Sequence, residues 1–69
     1  MLITSAEEFG KIIKNRRKEL GYTQGYVSEF TGLSVSFLSE LENGKKTAEI
    51  GKAIEVANIL GLDIEMKSR

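Results

Sequence analysis

Four glycines divide this chain into short segments, and their spacing limits the fold more than any other feature. Gly21, Gly32, Gly44 and Gly61 each follow an amphipathic run, and the 69-residue sequence contains no proline. Glycine adopts the left-handed backbone conformation without steric cost and therefore commonly follows the last residue of a helix. The spacing predicts four or five short helices in one all-α domain that comprises residues 1–69.

Polar residues that can cap helices precede the apolar runs. Ser5 and Glu8 have the spacing of a capping box, and Thr23, Ser34 and Thr47 are the predicted N-caps of the next three helices. The expected buried positions of the first and fourth helices are Phe9, Ile12, Ile13, Leu20, Ile50, Ala53, Ile54, Ala57 and Leu60. Gly51 interrupts the fourth helix, and close helix packing is one explanation for it.

The last residues follow a different pattern. Leu62, Ile64 and Met66 alternate with polar residues, and period two predicts a half-buried strand at residues 62–67, with a frayed tail as the alternative. A single strand leaves its backbone N–H and C=O groups unpaired. We therefore expect two copies to pair their strands antiparallel in a homodimer, with these three apolar side chains in the interface.

Composition excludes several kinds of chemistry. Cysteine and histidine are both absent, which removes disulfides, thiol nucleophiles, most zinc sites and histidine acid–base catalysis. The sequence predicts no metal, no cofactor and no enzymatic activity. No apolar run is long enough to span a membrane, and the N-terminal residues do not resemble a signal peptide, so the expected location is the cytoplasm, in association with the nucleoid.

Charge gives a mixed indication about nucleic acid. Ten basic and ten acidic residues give zero net charge, which argues against phosphate binding. The basic residues are clustered, however, at residues 11–18 and at Lys45 and Lys46. A neutral total can hide a basic face, although ordinary solvated helix charges are the alternative.

Residues 24–41 have the pattern of a helix-turn-helix unit. Ser28 is the small residue expected where the two helices cross, and Gly32 lies in the turn. Val27, Leu33, Leu38 and Leu41 are placed to fill the wedge between the helices. A helical hairpin with no role in DNA binding fits the same core residues.

Three motifs make the chain resemble the Cro/CI-type helix-turn-helix family, also called the XRE family. They are Leu20-Gly21-Tyr22-Thr23-Gln24, Thr31-Gly32-Leu33-Ser34 and Leu38-Ser39-Glu40-Leu41-Glu42-Asn43-Gly44-Lys45. The last motif with Phe37 before it, followed by Thr47-Ala48-Glu49 and the alternating tail, is similar to the HipB-like branch of antitoxins that repress their own operons. The resemblance implies a lambda-repressor-like domain that acts as a DNA-binding transcriptional repressor.

The resemblance also implies a set of DNA contacts. Gln24 would meet a phosphate, residues at the start of the third helix would enter the major groove, and the loop before the fourth helix would contact the backbone. The implied DNA-binding residues are Arg17, Gln24, Ser34, Val35, Ser36, Phe37, Ser39, Glu40, Asn43, Lys45, Lys46 and Thr47.

Several of these roles have alternatives. Phe37 contacts thymine methyl groups or packs in the core, and Glu40 accepts from cytosine or is a solvated or salt-bridged charge. Arg17 and Glu42 would form a salt bridge between the first and third helices, or be plain surface charges. Arg16 replaces a usual aliphatic residue, and it either adds charge near the DNA or points to solvent.

The implied partners are double-stranded DNA with an inverted-repeat operator, a second copy of the chain and a HipA-like kinase toxin. By elimination, that toxin would dock near Glu7, Glu8 and Glu55. The alternatives are a stand-alone regulator without a toxin and a module that binds only protein.

Overall fold

The computed structural model describes residues 2–69; Met1, which belongs to the predicted domain, lies outside them. Four α-helices form the fold: α1 (Ala6–Glu19), α2 (Gln24–Thr31), α3 (Val35–Glu42) and α4 (Ile50–Ile59). The predicted all-helical architecture is confirmed. None of the helices among the described residues is long and apolar enough to cross a membrane.

Side-chain caps begin the first three helices at the predicted residues. The side chains of Ser5, Thr23 and Ser34 each accept a hydrogen bond from a backbone N–H three residues ahead. The Glu8 carboxylate completes the first cap by accepting from the backbone N–H of Thr4 at 2.8 Å. These bonds satisfy N–H groups that have no partner within a helix.

The cap of α4 was predicted two residues too early. The cap is Glu49 rather than Thr47, and its carboxylate accepts from the backbone N–H groups of Gly51 and Lys52 at 3.2 and 2.8 Å. A carboxylate can hold two donors at once and interacts favourably with the positive end of the helix. Thr47 therefore lies in the loop between α3 and α4 and not at the start of a helix.

The predicted helix breaks are confirmed at all four glycines. Gly21, Gly32, Gly44 and Gly61 have φ angles of 76°, 78°, 83° and 77°, and they are the residues with positive φ among those described. Each glycine therefore ends or follows a helix in the left-handed conformation that its lack of a side chain permits.

One apolar cluster holds the four helices together. It consists of Ile13, Val27, Leu38, Leu41, Ala53, Val56, Ala57 and Leu60. The predicted buried face of α4 is wrong at two positions, because Ile50 and Ile54 are 74% and 40% exposed while Val56 is 1% exposed. Ile50, Ile54 and Val56 all fit helical spacing with the other apolar residues of α4. Only the packing of α4 against the other helices therefore decides which of them are buried.

The predicted strand is not formed by the chain as described. Residues 62–69 contain neither helix nor strand. Leu62 packs against the core and donates its backbone N–H to the Ala57 carbonyl at 2.9 Å, whereas Ile64 and Met66 are 45% and 97% exposed. A strand requires a neighbouring strand for its hydrogen bonds. A single chain supplies none here, so alternation of residue types alone does not make a strand.

Candidate nucleic-acid interface

Hydrogen bonds within the turn fix the angle between α2 and α3. The Ser28 hydroxyl donates to the Leu33 carbonyl at 2.6 Å, and the Thr31 hydroxyl accepts from the Leu33 N–H at 3.1 Å. Val27 and Leu38 are buried on either side of this turn. The turn therefore presents α3 to solvent on a rigid support, as a helix that enters a groove requires.

The exposed side of α3 faces a shallow groove. This candidate groove is lined by Gln24, Val35, Ser36, Ser39 and Glu40. All five were predicted DNA-binding residues, and the structure brings them together from two helices. Ser34, the N-cap of α3, is also exposed. Hydroxyl and amide groups here can donate to phosphates and can donate to or accept from base edges, and the carboxylate can accept from base edges.

Phe37 does not line this groove. It is partly buried against the core, and the Lys52 ammonium lies 5.8 Å from the centre of its ring. The structure favours the core-packing alternative for Phe37, because a side chain that fills the core is not free to enter a DNA groove. The Lys52 ammonium makes a cation–π contact with the face of this ring.

A buried ion pair connects α1 to the end of α3. Arg17 donates from Nε and Nη2 to the two carboxylate oxygens of Glu42 at 2.7 and 3.0 Å, and from Nη1 to the Tyr22 carbonyl at 2.8 Å. Gln24 also donates its side-chain amide to Glu42, at 3.0 Å. The pair is therefore a structural link rather than two plain surface charges, and it positions the first residue of α2.

Electrostatics keep this pair ionised. Burial raises the pKa of Glu42, but hydrogen bonds from Arg17 and Gln24 and the charges of Arg17 and Lys14 outweigh it, so the pKa is below its ordinary value. The hydrogen bond with Glu42 raises the pKa of Arg17. Because Arg17 is only 9% exposed and makes three hydrogen bonds to Glu42 and Tyr22, its main contacts are internal; its predicted DNA contact stays a prediction.

The loop after α3 carries the second group of predicted contacts. Asn43 is the C-cap of α3, and Lys46 and Thr47 are exposed. The Lys45 ammonium lies 2.9 Å from a Glu40 carboxylate oxygen. Of the alternatives for Glu40, the salt-bridged one describes this structure, and both partners are exposed enough to exchange for other contacts.

Arg16 has a role that neither alternative anticipated. Its Nε donates to the Leu60 carbonyl at 2.8 Å, at the C-cap of α4. A cation at the end of a helix satisfies a free carbonyl and interacts favourably with the negative end of the helix dipole. The replacement of an aliphatic residue by Arg16 thus fastens α1 to α4, and no local sequence pattern could have revealed the partner.

The turn between α2 and α3, the exposed side of α3 and the buried ion pair with α1 together indicate the family. The helix-turn-helix family profile matches residues 13–66. The chain belongs to the helix-turn-helix family. The predicted resemblance to Cro/CI-type members is confirmed by this match, and the three motifs quoted from the sequence lie within or directly beside the two helices of the unit.

Relatives of this helix-turn-helix protein are regulators. It is 33% identical over 64 residues to the HTH-type transcriptional regulator y4mF of Sinorhizobium fredii, covering 93% of this chain and 84% of that one. It is 33% identical over 60 residues to the HTH-type transcriptional regulator YazB of Bacillus subtilis, covering 87% of each chain. These similarities place the protein among helix-turn-helix transcriptional regulators.

A solved structure has the same fold. The HipB chain in the HipB–O4 20-mer complex superposes with a TM-score of 0.89 at 19% identity, over 99% of this chain and 96% of that chain. The predicted HipB-like architecture is confirmed as a likeness of fold.

Proposed function

We propose that this regulator represses transcription by binding an inverted-repeat operator as a homodimer. The observation that carries the proposal is the candidate groove, where Gln24 of α2 meets the exposed side of α3. Ser36 and Ser39 offer hydroxyls that bond base edges, and Val35, which is 45% exposed, offers an apolar contact for a thymine methyl group. Ser34 begins α3 and would lie at the entrance to the major groove.

Contacts with the DNA backbone would position α3 in the groove but would not distinguish one base sequence from another. Gln24 keeps its side-chain carbonyl and sits in the first turn of α2, where free N–H groups attract phosphate. Asn43, Lys45, Lys46 and Thr47 would contact phosphates from the other side of α3. Lys45 would exchange its bond with Glu40 for a phosphate, which leaves the Glu40 carboxylate to accept from a cytosine amine.

Two substitutions distinguish residues that contact the DNA backbone from residues that recognise the base sequence. Lys46→Ala should weaken binding to operator and random DNA alike and reduce the salt dependence by about one counterion per protomer. Ser36→Ala should instead change base preference at one or two positions, because its hydroxyl would contact bases. Selection of bound sequences from a random library, with affinities by fluorescence anisotropy, measures both. If Ser36→Ala lowers the affinity for selected DNA and for random DNA equally, Ser36 does not take part in sequence recognition.

The homodimer proposal rests on an exposed apolar surface. Ile64 and Met66 of the tail line an apolar groove together with Ile3, Ile50 and Ile54. These five side chains are between 40% and 97% exposed. A second copy would cover this groove, and pairing of residues 62–67 across a two-fold axis would form the strand that a single chain lacks.

Charges on the tail should break this dimer while leaving the fold intact. Leu62 packs against the core, so truncation after Gly61 would also damage the monomer. Ile64→Lys with Met66→Lys changes only exposed side chains, and we expect it to give a folded monomer at micromolar concentration. Lys67→Met is the matched control and should stay dimeric. Sedimentation equilibrium measures the mass; a dimer for the double lysine variant would place the interface elsewhere.

We further propose that the regulator acts as an antitoxin bound by a HipA-like kinase. The support is the HipB-like fold of the described residues. The exposed carboxylates of Glu7, Glu8 and Glu55 are the proposed docking positions. Co-expression with the product of the neighbouring gene and affinity purification tests the idea. A neighbour that is neither kinase-like nor co-purified would favour a stand-alone regulator.

A further inference from the structure

A lysine of α4 lies beside the first turn of α3. The Lys52 ammonium is 5.8 Å from the centre of the Phe37 ring. Phe37 belongs to the first turn of α3, because its backbone N–H donates to the side chain of the N-cap residue Ser34 at 3.0 Å. Lys52 is exposed and lies in the first turn of α4. The fold therefore places this cation next to the end of α3 that would enter the major groove.

No carboxylate of the described chain pairs with Lys52. The ion pairs formed by residues 2–69 are Arg17–Glu42 and Lys45–Glu40. Glu49 is only three residues before Lys52, but its carboxylate caps α4 and accepts from the backbone N–H groups of Gly51 and Lys52. The Lys52 ammonium therefore lies over an aromatic face, which does not neutralise its charge, and it can still bind an anion.

Lys45 and Lys52 lie along the same edge of α3. The Lys45 ammonium is 2.9 Å from a carboxylate oxygen of Glu40, and the Lys52 ammonium lies over the ring of Phe37. Phe37 and Glu40 are three residues apart in α3, a spacing that makes two side chains neighbours on a helix surface. One lysine comes from the loop after α3 and the other from α4, and together they give this edge a positive charge.

We infer that Lys52 contacts the DNA backbone and that Phe37 is the residue that positions it. The Phe37 ring packs against the core, so it offers a fixed face to the flexible lysine side chain. Lys45 and Lys52 would contact phosphates along one edge of α3. Gln24 is bonded to Glu42 at 3.0 Å and would contact a phosphate at the other edge. This inference rests on the DNA-binding function proposed above.

The salt dependence of binding to a short random-sequence duplex tests the contact. Affinity is measured by fluorescence anisotropy between about 50 and 200 mM salt. Lys52→Ala should reduce the slope of log affinity against log salt by about one for each bound protomer, and Lys52→Arg should keep the wild-type slope. Lys11→Ala, the matched control, removes an exposed cation of α1 and should change the slope little. Melting followed by circular dichroism verifies that each variant is folded.

A double-mutant cycle tests the positioning role of Phe37. Phe37→Leu keeps an apolar side chain against the core but removes the aromatic face. It should weaken DNA binding by about two- to five-fold when Lys52 is present, the range of a cation–π contact at an exposed site, and by little when Lys52 is replaced by alanine. Phe37→Tyr retains the aromatic face and should bind as the wild-type protein does.

The outcomes separate this inference from the proposed function. If the wild-type protein binds the duplex and Lys52→Ala has an unchanged slope, Lys52 makes no contact. If Lys11→Ala lowers the slope as much as Lys52→Ala does, general charge explains the effect and the inference is wrong. Equal losses for Phe37→Leu with and without Lys52 would show that Phe37 only supports the fold. If the wild-type protein shows no salt-dependent binding at all, the proposed function fails together with the inference.

Discussion

Replacing Glu42 with alanine should lower the free energy of unfolding by about 3–5 kcal/mol, because it leaves the buried Arg17 charge without its partner. The Arg17 and Glu42 side chains are 11% and 3% exposed, so water cannot replace the lost carboxylate. The variant also removes the acceptor of the Gln24 amide. Domains have a total stability of only about 0.05–0.15 kcal/mol per residue, so this loss would remove a large part of the stability of the 69-residue chain.

Urea denaturation followed by far-UV circular dichroism measures this loss. The matched control is the double variant Arg17→Met with Glu42→Leu, which removes both charges and should be far more stable than the single variant. A single variant within about 1 kcal/mol of wild type would contradict a buried, structurally required pair.

The same carboxylate gives the expected pH dependence. The pKa of Glu42 is lowered from its ordinary value of 4.5 in the folded protein, so the unfolded chain binds more protons as the pH falls. The stability that Glu42 contributes is therefore fully present above about pH 4.5 and is lost as the pH falls through the folded pKa. Glu42→Gln should be less stable than wild type at pH 7 and lose less stability on acidification.

Replacing Gly10 with alanine should destabilise the fold by about 1–3 kcal/mol, through steric overlap rather than lost contacts. A Cβ atom at Gly10 would lie 2.7 Å from the Glu42 carbonyl oxygen and closer still to that of Leu41. Both obstacles are backbone atoms at the end of α3, so neither can move without shifting the helix. In most helices alanine is better than glycine by about 1 kcal/mol, so the expected sign is reversed here.

Gly25→Ala is the matched control, since a Cβ atom there would meet only the Thr23 hydroxyl oxygen, at 3.8 Å. That substitution should be neutral or stabilising by up to about 1 kcal/mol. Thermal unfolding of both variants gives the comparison. If Gly10→Ala were as stable as Gly25→Ala, α1 and α3 could separate without cost and the close approach would not be required.

Much of the site could be predicted from local sequence. The N-caps Ser5, Thr23 and Ser34 and the breaks at glycine depend on hydrogen bonds and φ angles within a few residues, so the sequence pattern contains them. The turn between α2 and α3 is equally local. The groove residues were those that the resemblance to the Cro/CI-type family implies, and they are exposed because a short helix after a fixed turn leaves one side to solvent and turns the other toward the core.

The remaining features depend on which helices meet. Close helix packing does not explain Gly51, because a Cβ atom there would meet only the Glu49 carboxylate. Gly10 is instead the glycine that lets two helices touch. The partners of Arg16 and Gln24 are 44 and 18 residues away in the chain, beyond any local pattern. Ile50 and Ile54 share the helical spacing of the buried residues and are exposed all the same.

The sequence by itself determined where the first three helices begin, where all four end and which segment forms the helix-turn-helix unit, because caps and left-handed glycines act over one turn of chain. Only the tertiary structure decided that Arg17 and Gln24 share the Glu42 carboxylate, that Phe37 packs against the core, and that the tail forms no strand in the described chain. Those outcomes depend on burial and on hydrogen-bond partners far apart in sequence, and burial exists only once the helices have packed.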